Sequence, residues 1–105
     1  MAWLYLLVAA MFEVGWPVGL KMAEASSVKF VWLVFAAIAM ILSGVFLYMA
    51  QKTIPIGTAY AVWTGIGASC TFAVGILFFH DTISFARCLG IMLIIFGVAC
   101  LKYGH

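Results

Sequence analysis

A single carboxylate, Glu13, stands inside the first long apolar run of this chain. No charged side chain precedes it, and the next charge, Lys21, lies about two helical turns on. A charge held at the centre of a bilayer costs at least about 2.5–3.5 kcal/mol on insertion scales, so ionisable residues there are rare and usually functional. The bland alternative is a protonated glutamic acid hydrogen-bonded to a neighbouring helix. A carboxylate so placed can hold a proton at one moment and a cation at another. Cation binding requires the proton to leave, and protonation releases the cation. Two mutually exclusive ligands on one group amount to antiport, with no separate coupling device. In a dimer, two Glu13 groups would share one cavity as a coupled pair.

Trp16 and Pro17 follow Glu13 at i+3 and i+4, on the same helix face. Trp16 offers an indole N–H to the carboxylate and a π face to a cation; plain packing is the alternative. Pro17 lacks the N–H that would bond the Glu13 carbonyl four residues back. It is either a useful kink or a tolerated membrane proline. Ser43 carries a hydroxyl near the middle of the second apolar run. Its open choices are Glu13, a neighbouring carbonyl, or its own helix backbone. In the third run, Tyr60, Trp63, Thr64 and Gly67 recur at helical spacing. An aromatic wall with polar tips suits a delocalised cation, whereas interfacial anchoring is the alternative for Tyr60. Gly65 and Gly67 remove side chains on opposite faces, which reads either as a bending point for alternating access or as close helix packing.

These residues need elements to carry them. The chain has 105 residues, of which 69% are hydrophobic and 8% charged, with a net charge of +2. A water-soluble domain needs roughly a quarter charged residues, so the solvent for most of this surface is lipid. A bilayer core of about 30 Å takes about 20 apolar residues as a helix. Four such runs occur, over 2–20, 30–49, 57–79 and 83–101, within one domain spanning 1–105. The fold class is therefore all-α and integral to the membrane. Arg87 near the start of the fourth run is expected to snorkel to the headgroups. The N-terminal run has no basic leader or small-residue cleavage site, and it reads as a retained helix. The small, dispersed charge excludes nucleic-acid binding. Cys70, Cys88 and Cys100 form no metal-binding spacing and read as small apolar residues. His80 and His105 belong to no ligand cluster, and no cofactor is expected.

Four spans place Lys52 and Lys102 on one side of the membrane and Lys21, Lys29 and Arg87 on the other. Two cations against three give almost no positive-inside preference. Either a weak bias fixes one topology or the chain inserts both ways. The four runs show no internal repeat, although transporters usually bind substrate between two related halves. An antiparallel, dual-topology homodimer would supply the missing half. Gly90 and Gly97, on one face of the fourth span together with Ile94, suit a close helix seam, with ordinary glycine tolerance as the alternative.

The whole chain resembles the small multidrug resistance transporters. The resemblance rests on length, four spans, Glu13 in the first, and the run from Pro55 through Gly57, Tyr60, Trp63, Thr64 and Gly65 to Gly67. Phe12-Glu13-Val14-Gly15-Trp16 with Gly19-Leu20-Lys21, and Leu101-Lys102, resemble the guanidinium exporter subtype. Polyaromatic drug exporters of the family typically lack a tryptophan three residues after the glutamate. Pro17 stands where the family more often has a small residue such as alanine.

The resemblance implies an antiparallel homodimer exchanging guanidinium for protons across the inner membrane of a prokaryote. Glu13 would bind substrate and proton, and Trp16 and Ser43 would buttress it. Tyr60 and Trp63 would line the site, with Tyr60 able to contact Glu13. Guanidinium is planar and permanently charged, and it matches a carboxylate bidentately. Small substituted guanidinium ions or slim quaternary ammonium ions would also fit. The competing readings are a broad-specificity exporter of quaternary ammonium or polyaromatic cations, and a non-transporting helper or pore-forming subunit. Neither an enzyme nor a resident metal is expected.

Overall fold

The computed structural model describes residues 1–104; His105 lies outside the described residues. It contains α1 (Ala2–Ala25), α2 (Lys29–Ala50), α3 (Ile56–Phe78) and α4 (Phe85–Tyr103). All four are long and apolar enough to cross a membrane. Continuous helices satisfy their backbone groups internally, which hydrocarbon demands.

α1 runs past Lys21 to Ala25, beyond the apolar run that ends at Leu20. Charge marks where hydrocarbon stops, not where a helix must end. Lys21 and Glu24 pair at i,i+3 across 4.0 Å and extend the helix into the polar layer. Lys29 then closes it, its Nζ donating to the Ala23 and Glu24 carbonyls at 3.1 and 3.2 Å. At the other end of the chain, α4 starts at Phe85 rather than Ile83. Ser84 is its N-cap, and the Ser84 hydroxyl accepts the Arg87 amide at 3.2 Å. Arg87 thus sits in the first turn, at the edge of the apolar stretch. Between α3 and α4, His80 adopts φ 59°, and the Asp81 amide turns back to the Gly75 carbonyl at 3.1 Å.

α1 is the hub. It packs most extensively on α2 and less on α3, while α2 and α3 barely meet and the backbone of α4 lies against α3 alone. The α1–α2 seam is built from small residues: Ala9, Ala10, Gly19, Ala36, Ala39 and Ser43 are all buried. A Cβ on Gly19 would lie 2.9 Å from a Phe35 ring carbon and 3.2 Å from the Ala36 methyl. Lipid gives helices no hydrophobic reason to associate, so close backbone approach and van der Waals contact hold such seams. Phe12 stacks on Phe46 along its flank, with ring centroids 6.0 Å apart. No residue of α4 is buried, and Met92, Leu93 and Phe96 are strongly exposed. The molecule is a slab, with Cα extents of 45 × 34 × 16 Å.

Candidate functional site

Glu13 lies midway along α1 and is partly buried. One turn on, the Trp16 indole Nε1 donates to Glu13 Oε1 at 2.7 Å. The bond joins i to i+3 on one helix, so the helical repeat itself supplies the geometry. The rigid indole ring and the short bond together hold the Glu13 side chain in one rotamer.

Gly67 on α3 sets how closely Glu13 approaches that helix. A Cβ there would stand 2.6 Å from Glu13 Cγ and 3.2 Å from its Cβ. The glycine is therefore the seat on which the glutamate stem rests. Gly65 serves a different neighbour, because its missing Cβ admits Val98 and Ile94 of α4. Both glycines are buried within a continuous helix and are used for close packing. Pro17 likewise lies inside α1, which continues through it to Ala25.

Ser43 does not reach the Glu13 side chain. Its Oγ donates to the Ala9 carbonyl at 2.7 Å and accepts the Trp63 Nε1 at 2.8 Å. The hydroxyl points from α2 to the α1 backbone one turn before Glu13, at the carbonyl that the Glu13 amide meets in a regular helix. One donor and one acceptor function are both used, which suits a side chain only 1% exposed. Through this relay α3, α2 and α1 are tied at the level of the carboxylate. Tyr60 packs against Trp63, with centroids 5.4 Å apart and planes inclined by 53°. Tyr60 is 57% exposed, and among the described residues the hydrogen-bond partner of the Glu13 carboxylate is Trp16, not Tyr60.

These side chains border one open cleft of ≈ 360 Å³, lined by Glu13, Trp16, Met40, Gly44, Tyr60, Trp63 and Thr64. Met40 and Gly44 come from α2 and escaped the sequence reading. Their i,i+4 spacing around Ser43 was the available signal, but neither residue type carries chemistry. Gly44 has no neighbour where its Cβ would be, so it widens the cleft. Thr64 turns its hydroxyl back to its own helix, donating to the Tyr60 carbonyl at 2.8 Å. The cleft thus presents one carboxylate among aromatic faces, an arrangement that attracts a flat organic cation. Among the described residues no group of His, Cys, Asp and Glu could hold a metal. Gly90 and Gly97 are elsewhere, on α4, with open space where a Cβ would be; Ile94 instead turns toward Gly65.

The sequence profile described as "Small Multidrug Resistance protein" matches residues 1–94. Curated relatives agree along nearly the full chain. The "Guanidinium exporter" of Salmonella typhimurium is 43% identical over 97% of this chain and 96% of its own length. That of Yersinia pseudotuberculosis is 42% identical over 97% of both chains, and that of Citrobacter freundii is 42% identical over 97% of this chain and 96% of its own. With four helices fit to span a bilayer and a match over most of its length, the chain belongs to the small multidrug resistance family and is a multi-pass protein of the prokaryotic inner membrane.

Proposed function

We propose that the protein exports guanidinium in exchange for protons, by alternating access in an antiparallel homodimer. The observation that carries this reading is the Glu13 carboxylate, held by Trp16 at 2.7 Å and facing the cleft walled by Tyr60 and Trp63. A guanidinium ion offers paired N–H donors to a carboxylate and a flat face to aromatic rings. A proton takes the same oxygens, so the two ligands exclude one another. The names of the relatives support guanidinium as the cation. Trp16 narrows the cleft beside the carboxylate, which favours a small cation over a bulky polyaromatic one.

A second copy completes the site. The cleft is open along one side, the molecule is only 16 Å thick, and no part of α4 is buried. The exposed α4 face around Gly90 and Gly97 offers room for a close helix seam. The nearly even split of Lys and Arg between the two sides permits both insertions.

The decisive measurement uses proteoliposomes loaded with guanidinium and a pH-sensitive dye. Outward guanidinium flux should drive proton entry, and an imposed proton gradient should concentrate guanidinium. Flux without opposing proton movement would identify a pore. Glu13→Gln should abolish coupled exchange. Because protons compete for the same carboxylate, guanidinium binding should weaken as pH falls; binding that is indifferent to pH would separate the two ligands.

A further inference from the structure

We propose that the groove between the start of α1, the first half of α3 and the end of α4 is a binding site for an anionic phospholipid. One acyl chain would lie in the groove and the phosphate would meet Lys102. The groove encloses ≈ 390 Å³ and is lined by Trp3, Leu4, Leu6, Leu7, Val62, Ile66, Val98 and Lys102. It shares no residue with the cleft around Glu13.

Its floor is built and apolar: Leu6 and Val62 are 1% and 2% exposed. Leu4 and Leu7 are about half exposed and form its outer edge. Trp3 to Leu7, Val62 to Ile66 and Val98 to Lys102 each span about one helical turn, so the groove runs about 6 Å along the helices. That length seats the first few methylenes of a chain whose remainder continues in the bilayer.

The charge sits where the headgroup would be. Lys102 Nζ lies 5.1 Å from the Trp3 ring centroid and 5.4 Å from that of Tyr103. Two aromatic rings flank the ammonium of this groove-lining lysine near the end of α4, and tryptophan and tyrosine are the residues that collect at membrane interfaces. Cation–π contact leaves N–H donors available to a phosphate oxygen. The Lys21–Glu24 ion pair lies far along the chain from Lys102. A phosphate diester is the anion that a bilayer places at this level, covalently joined to the chain the groove would accept.

Lys52 provides an internal control. Its Nζ lies 5.0 Å from the Tyr48 ring centroid, a comparable cation–aromatic pair, but it is not part of this groove. The test is native mass spectrometry of the purified protein in mixed micelles, where membrane orientation has no influence. Phosphatidylglycerol and phosphatidylcholine with matched chains are supplied in equal amounts. The protein should retain the anionic lipid about fivefold over the zwitterionic one. Lys102→Gln should erase that preference, Lys102→Arg should keep it, and Lys52→Gln should leave it intact. Leu7→Trp, a change at the groove's outer edge, should reduce the retention of both lipids. The proposal is overturned if Lys102→Gln keeps the preference, if Lys52→Gln removes as much of it, or if Leu7→Trp retains as much lipid as the parent protein.

Discussion

The Glu13 carboxylate owes its setting to two neighbours of opposite kind, a donor and a void. Trp16 supplies the donor at 2.7 Å. Trp16→Phe keeps the aromatic bulk and removes the indole N–H. Hydrogen bonds to charged groups contribute about 1.5–3 kcal/mol, so guanidinium affinity should fall at least about tenfold, read by titration calorimetry. Unchanged affinity would reduce Trp16 to packing. Gly67 supplies the void. Alanine is a better helix former than glycine by about 1 kcal/mol, so Gly67→Ala should not unwind α3. Its methyl would nevertheless crowd Glu13 Cγ, 2.6 Å away, and turn the carboxylate out of place. Coupled exchange should drop severalfold while the circular dichroism of the helices stays the same. Full exchange by that variant would show that the glutamate stem has slack. Glycine fits this position because of what faces it on another helix, which no reading of α3 alone could reveal.

At the scale of the helices, the α1–α2 seam is the structural spine. Its buried contacts are mostly alanine, glycine and serine, and the small residues Gly15 and Gly19 make room for the Phe35 ring. Gly19→Leu should therefore force the helices apart at Phe35 and Ala36. Overpacking of this kind costs about 1–3 kcal/mol. Thermal denaturation in detergent should begin several degrees lower, and a leucine at exposed Gly44 should be far milder in the same assay. Equal effects at the two sites would mean that the seam is not tightly packed. The Ala9–Ser43–Trp63 relay is the other tie between elements. It joins α3 to α2, which otherwise scarcely touch, at the level of the carboxylate. Movement of α3 against α1 would have to break or stretch this relay, so the relay links site geometry to helix position.

For the molecule as a whole, shape and charge argue together. A slab 16 Å thick in its Cα atoms cannot surround a cation, and the exposed leucine, methionine and phenylalanine side chains of α4 require lipid or another chain against them. The cations divide two against three between the sides, a balance that a single added charge would tip. In a cysteine-free background, a cysteine at Gln51 in the α2–α3 connection should react with a membrane-impermeant maleimide from either face of the membrane, each labelling about half of the protein if the bias is near zero. Labelling from one face alone would exclude the antiparallel pair.

Sequence alone determined the class of solvent, the number of spans and the position of the one acid within them. Hydropathy over about 20 residues is a local property, and so is the i,i+3 register that brings Trp16 to Glu13. It also isolated Ser43, Tyr60, Trp63 and Gly67 as the unusual residues of their spans. The tertiary structure decided what each of them faces. Ser43 meets the Ala9 carbonyl and Trp63 rather than the carboxylate, Gly67 seats Glu13, and Gly65 admits α4. Met40 and Gly44 join the cleft only because α2 passes there. Helix ends shifted for a related reason: hydrophobicity marks the limits of hydrocarbon, while caps such as Lys29 and Ser84 mark the limits of the helix. In a bilayer, segment composition fixes which helices form, but their mutual rotation depends on small-residue contacts and a few hydrogen bonds between helices, and those interactions exist only once the helices are assembled.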